Sequence, residues 1–363
     1  MPSKVQLFSA AALYAFIIVC ICLPRRSGSD STLIWIMWML FTYFSVYVPK
    51  LLFVMVDLIA SVPCLFKSHR IGAVSMVGGV LSIMCFLAMW WGALVNRYRI
   101  DVKELTVEIP GLPERFDGYK IVQFSDFHVG TYGNDDSYVR KVVDKINSLN
   151  CDLIVFTGDI VNRRTDELLP FVDALSGLEA PDGVYSILGN HDYGDYSDWD
   201  TAEDKARNME MMYDLQADMG WHLLRNESDF LKKDNDSIAI VGVENVGDPP
   251  FKVYGSISKA YPSIDDDNVK ILLTHNPAHW VNEIANGDAN VALTLSGHTH
   301  AMQIELFGVS PAVWRYPTWG GLYEDDEKQH KLYVNIGIGT VGIPTRIGAT
   351  PELTVITLKR EQL

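Results

Sequence analysis

The chain has 363 residues, 48% of them hydrophobic, and a formal net charge of −15 at pH 7, enough for one or two domains with a sizeable core. The charge is lopsided: residues 1–100 hold eight Lys/Arg and two acids, Asp30 and Asp57, while residues 101–363 hold 22 Lys/Arg against 43 Asp/Glu. So acidic a second part repels the nucleic-acid backbone, and no nucleic acid is expected as a partner.

In chain order, residues 5–23 form an uncharged apolar run that ends at Pro24-Arg25-Arg26. Residues 32–48 form a second run, residues 51–66 a third that contains Asp57, and residues 71–95 a fourth. At about 1.5 Å per residue, such lengths suit a hydrocarbon core of roughly 30 Å. Trp90 and Trp91, followed by Arg97 and Arg99, fit the edge of a bilayer. Lys4 and the first run also fit a signal peptide, but the apolar runs behind it favour a first membrane helix. The expected organisation is a transmembrane anchor over 1–100, with three or four helices, and a second domain over 101–363. Asp57 within an apolar run is either a functional group or an interfacial one. Basic residues divide almost evenly between the two sides, so charge does not set the orientation. Four of the five cysteines, Cys20, Cys22, Cys64 and Cys85, lie in the apolar part and Cys151 is alone in the rest. This favours a reducing compartment, with the domain over 101–363 on the cytoplasmic side.

Residues 105–119, with two Pro and two Gly, read as the lead-in to the second part. β-Branched runs then recur at 120–124, 152–156, 184–188, 237–241, 269–273, 291–295, 332–335 and 353–358. Between them, 136–149 places Val139, Val142, Val143, Ile146 and Leu149 on one helical stripe, and 166–178 reads as a second helix. Residues 203–219 look helical too. With 193–200 they form either an insertion covering the site or a plain surface helix. Strands alternating with helices predict an α/β fold.

The chemistry sits behind the strands. The first run is followed by Ser125-Asp126-Phe127-His128 and the second by Gly158-Asp159-Ile160-Val161-Asn162. The third leads to Gly189-Asn190-His191-Asp192, the fifth to Thr274-His275, and the sixth to Gly297-His298-Thr299-His300. Ligands bind at the carboxyl ends of strands in open α/β sheets, so one sheet edge is expected to gather these groups. Extended segments would turn Asp126 and His128 to one side, and His298 and His300 likewise. Asp and Asn oxygens with His nitrogens suit a pair of divalent cations roughly 3.5–4 Å apart.

These segments, in this order, resemble the calcineurin-like metallophosphoesterase superfamily: DxH, GDxxN, GNHD, a lone His after a strand, and GHTH. The apolar start resembles its bacterial membrane-anchored members. The resemblance covers about residues 118–358 and implies a β-sandwich flanked by helices (αββα). It implies that Asp126, His128 and His300 bind one metal, Asp159 bridges, and Asn190, His275 and His298 bind the other. It implies His191 as the catalytic group that meets the phosphate and protonates the leaving group, with Asp192 orienting His191. A metal-bridged hydroxide would attack phosphorus. The cofactors implied are two divalent ions, with Mn, Fe, Zn and Mg as candidates.

After GHTH many relatives carry Gly-Gly; here Ala301-Met302 follow. That changes the backbone beside His300 if positive φ is needed there, and points to altered substrate fit. Arg163 and Arg164 either meet an anionic substrate or form a solvated loop pair. Trp314, Tyr316, Trp319 and Tyr323 either shape an apolar pocket or pack an edge. Residues 337–348 are Gly-rich but lack a phosphate-loop pattern. His69, His222, His279 and His330 read as ordinary structural histidines. The expected function is a phosphatase, phosphodiesterase or pyrophosphohydrolase in a bacterial inner membrane, acting on a lipid-linked or nucleotide-sugar phosphate. The competing function is a metal-binding sensor or interaction module without turnover.

Overall fold

The apolar runs of the first hundred residues become three helices, α1 (Lys4–Cys22), α2 (Asp30–Ser61) and α3 (Gly72–Leu94). The computed structural model describes residues 4–23, 26–27, 30–248, 252–285, 287, 289–325 and 330–361; Pro24 and Arg25 lie outside them. The second and third apolar runs are one helix, with Pro49 inside it. Proline removes a single N–H from the ladder. Its carbonyl accepts from Ser82 Oγ of α3 at 2.7 Å, and an apolar medium offers the remaining backbone no other partner. Among the described residues, Ser31–Phe66 and Gly72–Tyr98 are long and apolar enough to cross a membrane, by length and composition. Asp57 pairs with the Arg70 guanidinium, which supports the interfacial reading of this acid.

The chain divides into two compact units, Met1–Tyr98 with Gly342–Gly348, and Arg99–Val341 with Ala349–Leu363. In the first, Phe41, Met89 and Ala93 form a small core joined by Ile347. Thr345 Oγ1 donates to Met89 O at 3.0 Å and Asn96 Nδ2 to Arg346 O at 3.0 Å. A Cβ on Gly92 would lie 2.4 Å from Thr345 Oγ1, so only glycine lets the backbones approach this closely.

The second unit is built on two six-stranded sheets. Along the chain the strands are β1 (Asp101–Ile109), β2 (Lys120–Phe124), β3 (Leu153–Phe156), β4 (Val184–Ser186), β5 (Trp221–Leu223), β6 (Glu227–Lys233), β7 (Asp236–Gly242), β8 (Lys270–Leu273), β9 (Leu293–Ser296), β10 (Gly321–Glu324), β11 (Lys331–Val334) and β12 (Glu352–Arg360). One sheet has the order β1-β12-β2-β3-β4-β5 and the other β10-β11-β9-β8-β7-β6. Their facing sides close a core in which Ile121, Val155 and Ile187 meet Ile238, Ile240, Leu273 and Leu295. On the other side of the second sheet, Ile257, Trp280 and Ile284 cover Val241, Leu272 and Val334. The architecture is the expected sandwich with helices outside.

Helix α4 (Ser137–Asn147) buries the predicted stripe of Val139, Val142, Val143 and Ile146. The helix expected over 166–178 is instead a 3-10 segment, Thr165–Phe171, holding Pro170, followed by the short α5 (Val172–Leu175); proline cannot supply the N–H that a continuous α-helix needs. Helix α6 (Ala202–Asp218) starts in a capping box of Thr201 and Asp204 and buries Met212. A last short helix is α7 (Ile257–Ala260).

Strands β2, β3 and β4 run parallel to one another, and so do β7, β8 and β9. The carboxyl ends of each set are therefore aligned, and every chemistry-bearing segment leaves one of those ends.

Candidate metal centre

Two groups of three side chains converge at these strand ends. Asp126, His128 and His300 form one, Asp159, His275 and His298 the other, and within each group the ligand atoms lie within 4.8 Å of one another. The first takes Asp126 and His128 from behind β2 and His300 from behind β9. The second takes Asp159 from behind β3, His275 from behind β8 and His298 from behind β9. The expectation of a single gathering edge needs correction: β2 and β3 belong to one sheet, β8 and β9 to the other. The site forms where two stacked sheets end together.

The expectation of extended segments also fails. Asp126 (φ 54°), His128 (φ 50°), Asp159 (φ 63°), His298 (φ 76°) and His300 (φ 50°) all have left-handed backbone. Asp126 and His128 do converge, but His298 and His300 part into different groups. Two motif glycines are needed for space: a Cβ on Gly297 would lie 2.3 Å from Asp126 Oδ2, and one on Gly189 2.2 Å from Asp159 Oδ1.

Backbone carbonyls set the imidazole tautomers. His128 Nδ1 faces Val161 O at 3.1 Å and His275 Nδ1 faces Thr157 O at 2.8 Å. A carbonyl only accepts, so each Nδ1 carries a proton, and it is Nε2 that offers a lone pair once the ring is neutral. Those lone pairs point inward: His128 Nε2 lies 3.1 Å from His300 Nε2, and His275 Nε2 lies 3.2 Å from His298 Nδ1. His298 Nε2 lies 2.9 Å from the Tyr316 hydroxyl; that hydroxyl gives its own proton to Asp248 Oδ2 at 3.3 Å, so it accepts from Nε2 and leaves His298 Nδ1 as an acceptor. Asp159 Oδ2 sits between the groups, 3.6 Å from His128 Nε2 and 3.2 Å from His275 Nε2.

Asn190 lies beside the second group. Its Nδ2 donates to the Tyr196 hydroxyl at 2.9 Å, and its buried Oδ1 has no hydrogen-bond partner. Converging nitrogen lone pairs, two buried carboxylates and an unpaired amide oxygen are what a pair of divalent cations requires of its donors.

The electrostatics of the side chains agree. Burial pushes the Asp126 carboxyl up, but the His300 and His275 imidazoles outweigh it and hold it well below the usual range. Burial is likewise outweighed at Asp159, by His275 and His191. His298 is lowered to about 4 by burial and by His275, so it is a neutral donor. Burial lowers His275, but the Asp159 carboxylate prevails and raises it to about 9. Loading a cation there would release a proton.

His191 lies edge-on to His128, with ring centroids 4.8 Å apart, and stacks on Tyr196 at 4.3 Å. Its Nδ1 faces Asn162 O at 2.5 Å. Asp192, expected to orient His191, does not do so. Its carboxylate accepts from the backbone N–H groups of Asp159, Gly189, Ile160 and Val161 at 2.9–3.2 Å. All its acceptor capacity goes to holding two ligand loops together. Burial and the Asp159 carboxylate push Asp192 up to about 7, while the N–H groups of Gly189 and Val161 pull it down.

Other candidates fall elsewhere. Arg163 is buried 3.8 Å from Glu167, and Arg164 pairs with Asp166 at 2.9 Å. The aromatic stretch splits: Tyr316 reaches His298, Trp319 packs on Ala301, Tyr323 joins the core outside the second sheet, and Trp314 is 88% exposed. Helix α6 packs on the Thr165 segment through Asn208, whose side chain accepts from Thr165 N at 2.8 Å. The preceding segment borders the ligands, through Tyr196. The Gly-rich stretch fastens the first ligand loop, with Ile338 N donating to Ser125 O and Gly339 N to Asp126 O, each at 2.9 Å. His279 bonds Thr274 Oγ1 and His330 bonds Asp325. Sequence reasoning missed Tyr196, Asn245 and Asp248, which carry no motif. Asn162 stands in GDxxN, but its role is played by a backbone carbonyl.

The sequence model of the calcineurin-like phosphoesterase family matches residues 119–302. A metallophosphoesterase of Bacillus subtilis is 34% identical over 273 residues, covering 72% of this chain and 86% of that protein. A transmembrane protein with metallophosphoesterase domain from Danio rerio is 30% identical, covering 77% of this chain but 62% of that protein's length. Among solved structures, a dimetal phosphatase from Danio rerio aligns with a TM-score of 0.36 at 12% identity, over 61% of this chain and 88% of that one.

Proposed function

The chain belongs to the calcineurin-like phosphoesterase family and is a hydrolase of phosphoester bonds; from that premise we propose a membrane-anchored enzyme that holds two divalent cations. Asp126, His128 and His300 hold the first, Asn190, His275 and His298 the second, and Asp159 serves both. The observation that carries this reading is the position of Asp159 Oδ2 between the two groups, within 3.6 Å of an imidazole nitrogen of each. The donor set suits Mn²⁺, Fe²⁺, Zn²⁺ or Mg²⁺, with cellular supply deciding among them. Such cations, when bound, acidify water to a nucleophile and neutralise charge on the phosphoryl oxygens.

The chain's own residues do the rest. Asn162 O keeps the proton of His191 on Nδ1, so Nε2 is the atom that faces the reaction. As imidazolium, His191 gives its Nε2 proton to the departing ester oxygen. Asp192 keeps the Asp159 and Asn190 loops in register. Two long apolar helices support placing this chemistry at a membrane surface, where lipid-linked or nucleotide-sugar phosphates are concentrated. Cys151, free and buried, agrees with a catalytic unit on the reducing, cytoplasmic side.

The test is hydrolysis of p-nitrophenyl phosphate and its diester by the purified full chain supplied with Mn²⁺. The expected result is metal-dependent turnover that falls at least about 100-fold in Asp159→Ala and in His191→Ala. Normal metal binding without cleavage of any phosphoester would instead favour a sensor or interaction module.

A further inference from the structure

Between Met302 and Arg315 the chain leaves the ligand groups and returns to them. It starts two residues after His300, and directly past Arg315 the Tyr316 hydroxyl lies 2.9 Å from His298 Nε2. Ser310 Oγ ties the base of this loop by donating to Ala301 O at 2.5 Å. The tip is a two-residue turn: Leu306 and Val309 exchange both backbone hydrogen bonds, at 2.9 and 3.1 Å, around Phe307 (φ 56°) and Gly308 (φ 78°). Left-handed backbone at both central positions suits Asn or Gly. Here the first of them is a phenylalanine whose side chain is fully exposed, so backbone strain and an uncovered ring fall on one residue.

Leu306, Val309, Val313 and Trp314 are exposed too, and the nine residues from Leu306 to Trp314 carry no charge. An apolar patch of this kind marks a surface that a partner covers. Three observations favour a lipid bilayer. Protein interfaces take roughly 20–30 residues a side; a projecting loop of nine offers too few, whereas a bilayer asks for no matching shape. The residue order is that of an interfacial anchor, with aliphatic and Phe side chains at the tip and Trp314 then Arg315 at its edge. The loop is also tethered to the way into the apolar unit: Gln303 Oε1 accepts from Val341 N at 2.8 Å, and the next residue, Gly342, belongs to that unit.

We infer that the 306–314 loop docks on the bilayer that the apolar helices span, with Phe307 and its neighbours entering the boundary of headgroups and acyl chains by roughly 5–10 Å, as interfacial apolar groups do. The inference rests on the membrane-anchored reading above. The attraction is apolar, because so acidic a unit gives anionic headgroups little charge to hold. One end of the docked loop runs into His300 and the other bonds to His298. Docking therefore holds both ligand groups within one loop's length of the headgroup layer, where the phosphate of a lipid stands.

The experiment places one fluorescent amino acid in the full chain, at Phe307, at the exposed Ile83 of α3, or at the exposed Phe230 of β6, which lies at the opposite edge of its sheet from β10. Each chain is reconstituted in phosphatidylcholine vesicles, plain or brominated on the acyl chains. Bromine quenches a fluorophore that enters the acyl layer, and the label at Ile83 reports whether α3 spans the bilayer. The expected result is at least about twofold quenching at Ile83 and at Phe307, and none at Phe230. Quenching at Ile83 without quenching at Phe307 overturns the inference and leaves a second copy or another protein as the cover of the patch. Equal quenching at Phe307 and Phe230 overturns it too. A label at Trp314, in a chain whose melting temperature matches wild type, decides the matter should the label at Phe307 disturb the turn. No quenching at Ile83 overturns the membrane-anchored reading, and this inference with it.

Discussion

Left-handed backbone at Asp126, His128, Asp159, His298 and His300 turns each side chain back toward the strand ends, where an extended chain would carry it past. Such conformations cost about 1–3 kcal/mol each and persist only where the surroundings hold them. At Asp159 the holder is Asp192, whose carboxylate accepts from Asp159 N at 2.9 Å. Asp192→Ala would leave four buried N–H groups without an acceptor, a loss of about 3 kcal/mol or more. We expect a large fall in melting temperature in thermal denaturation, because the role is structural; an unchanged melt would return Asp192 to the role of orienting His191. The strain continues through Ala301 (φ 51°) and Met302 (φ 47°), positions where glycine fits without penalty. Met302 is 56% exposed, so Met302→Gly loses little packing. It should gain about 1 kcal/mol, seen as a melting temperature higher by roughly 2–4 °C. A lower value would mean that the methionine contributes more than its backbone costs.

Among the elements, the strands that carry the chemistry were the legible ones. Strands β2, β3, β4, β8 and β9 are short, β-branched and closed by spelled motifs, because a parallel strand buried on both faces reads as a continuous apolar run. Strands β1, β5, β6 and β10 were not read. β6 and β10 lie at sheet edges, and Glu227–Lys233 carries mixed charge and little alternation. The division of ligands between two sheets was equally hidden, since strand order leaves no trace in local pattern. Asp192 shows the limit at single residues: its motif position is right, but its partners are backbone groups, three of them from a distant loop. Strand β12 holds a testable group of its own. Glu352 is buried with Tyr333 and Thr354 donating to it at 2.8 Å, and burial raises it to about 7 from 4.5. Between those two values the native chain binds more protons than the unfolded one, so this group lowers stability as pH rises through that window. Glu352→Gln keeps the acceptor and removes the titration. It should melt roughly 3–6 °C above wild type at pH 8 and close to it at pH 5; no difference at pH 8 would contradict the raised value.

Taken whole, the chain joins an apolar unit to an acidic one, and the sequence marked that change of composition near residue 100. It did not mark the return of Gly342–Gly348 to the first unit, because seven residues carry no signal of a partner some 250 positions away. On the proposed reading the acidic unit would resolve its electrostatic problem locally. An excess of carboxylates repels phosphate, and a pair of cations held by the two ligand groups would reverse that field at the strand ends. The count of bound metal is therefore the most direct test. Elemental analysis of the folded full chain, equilibrated with Mn²⁺ or Zn²⁺ and freed of excess, should give two ions per chain and no more than one in Asp159→Ala. A folded wild-type chain that retains no divalent ion, or retains the same number after that substitution, would contradict the account.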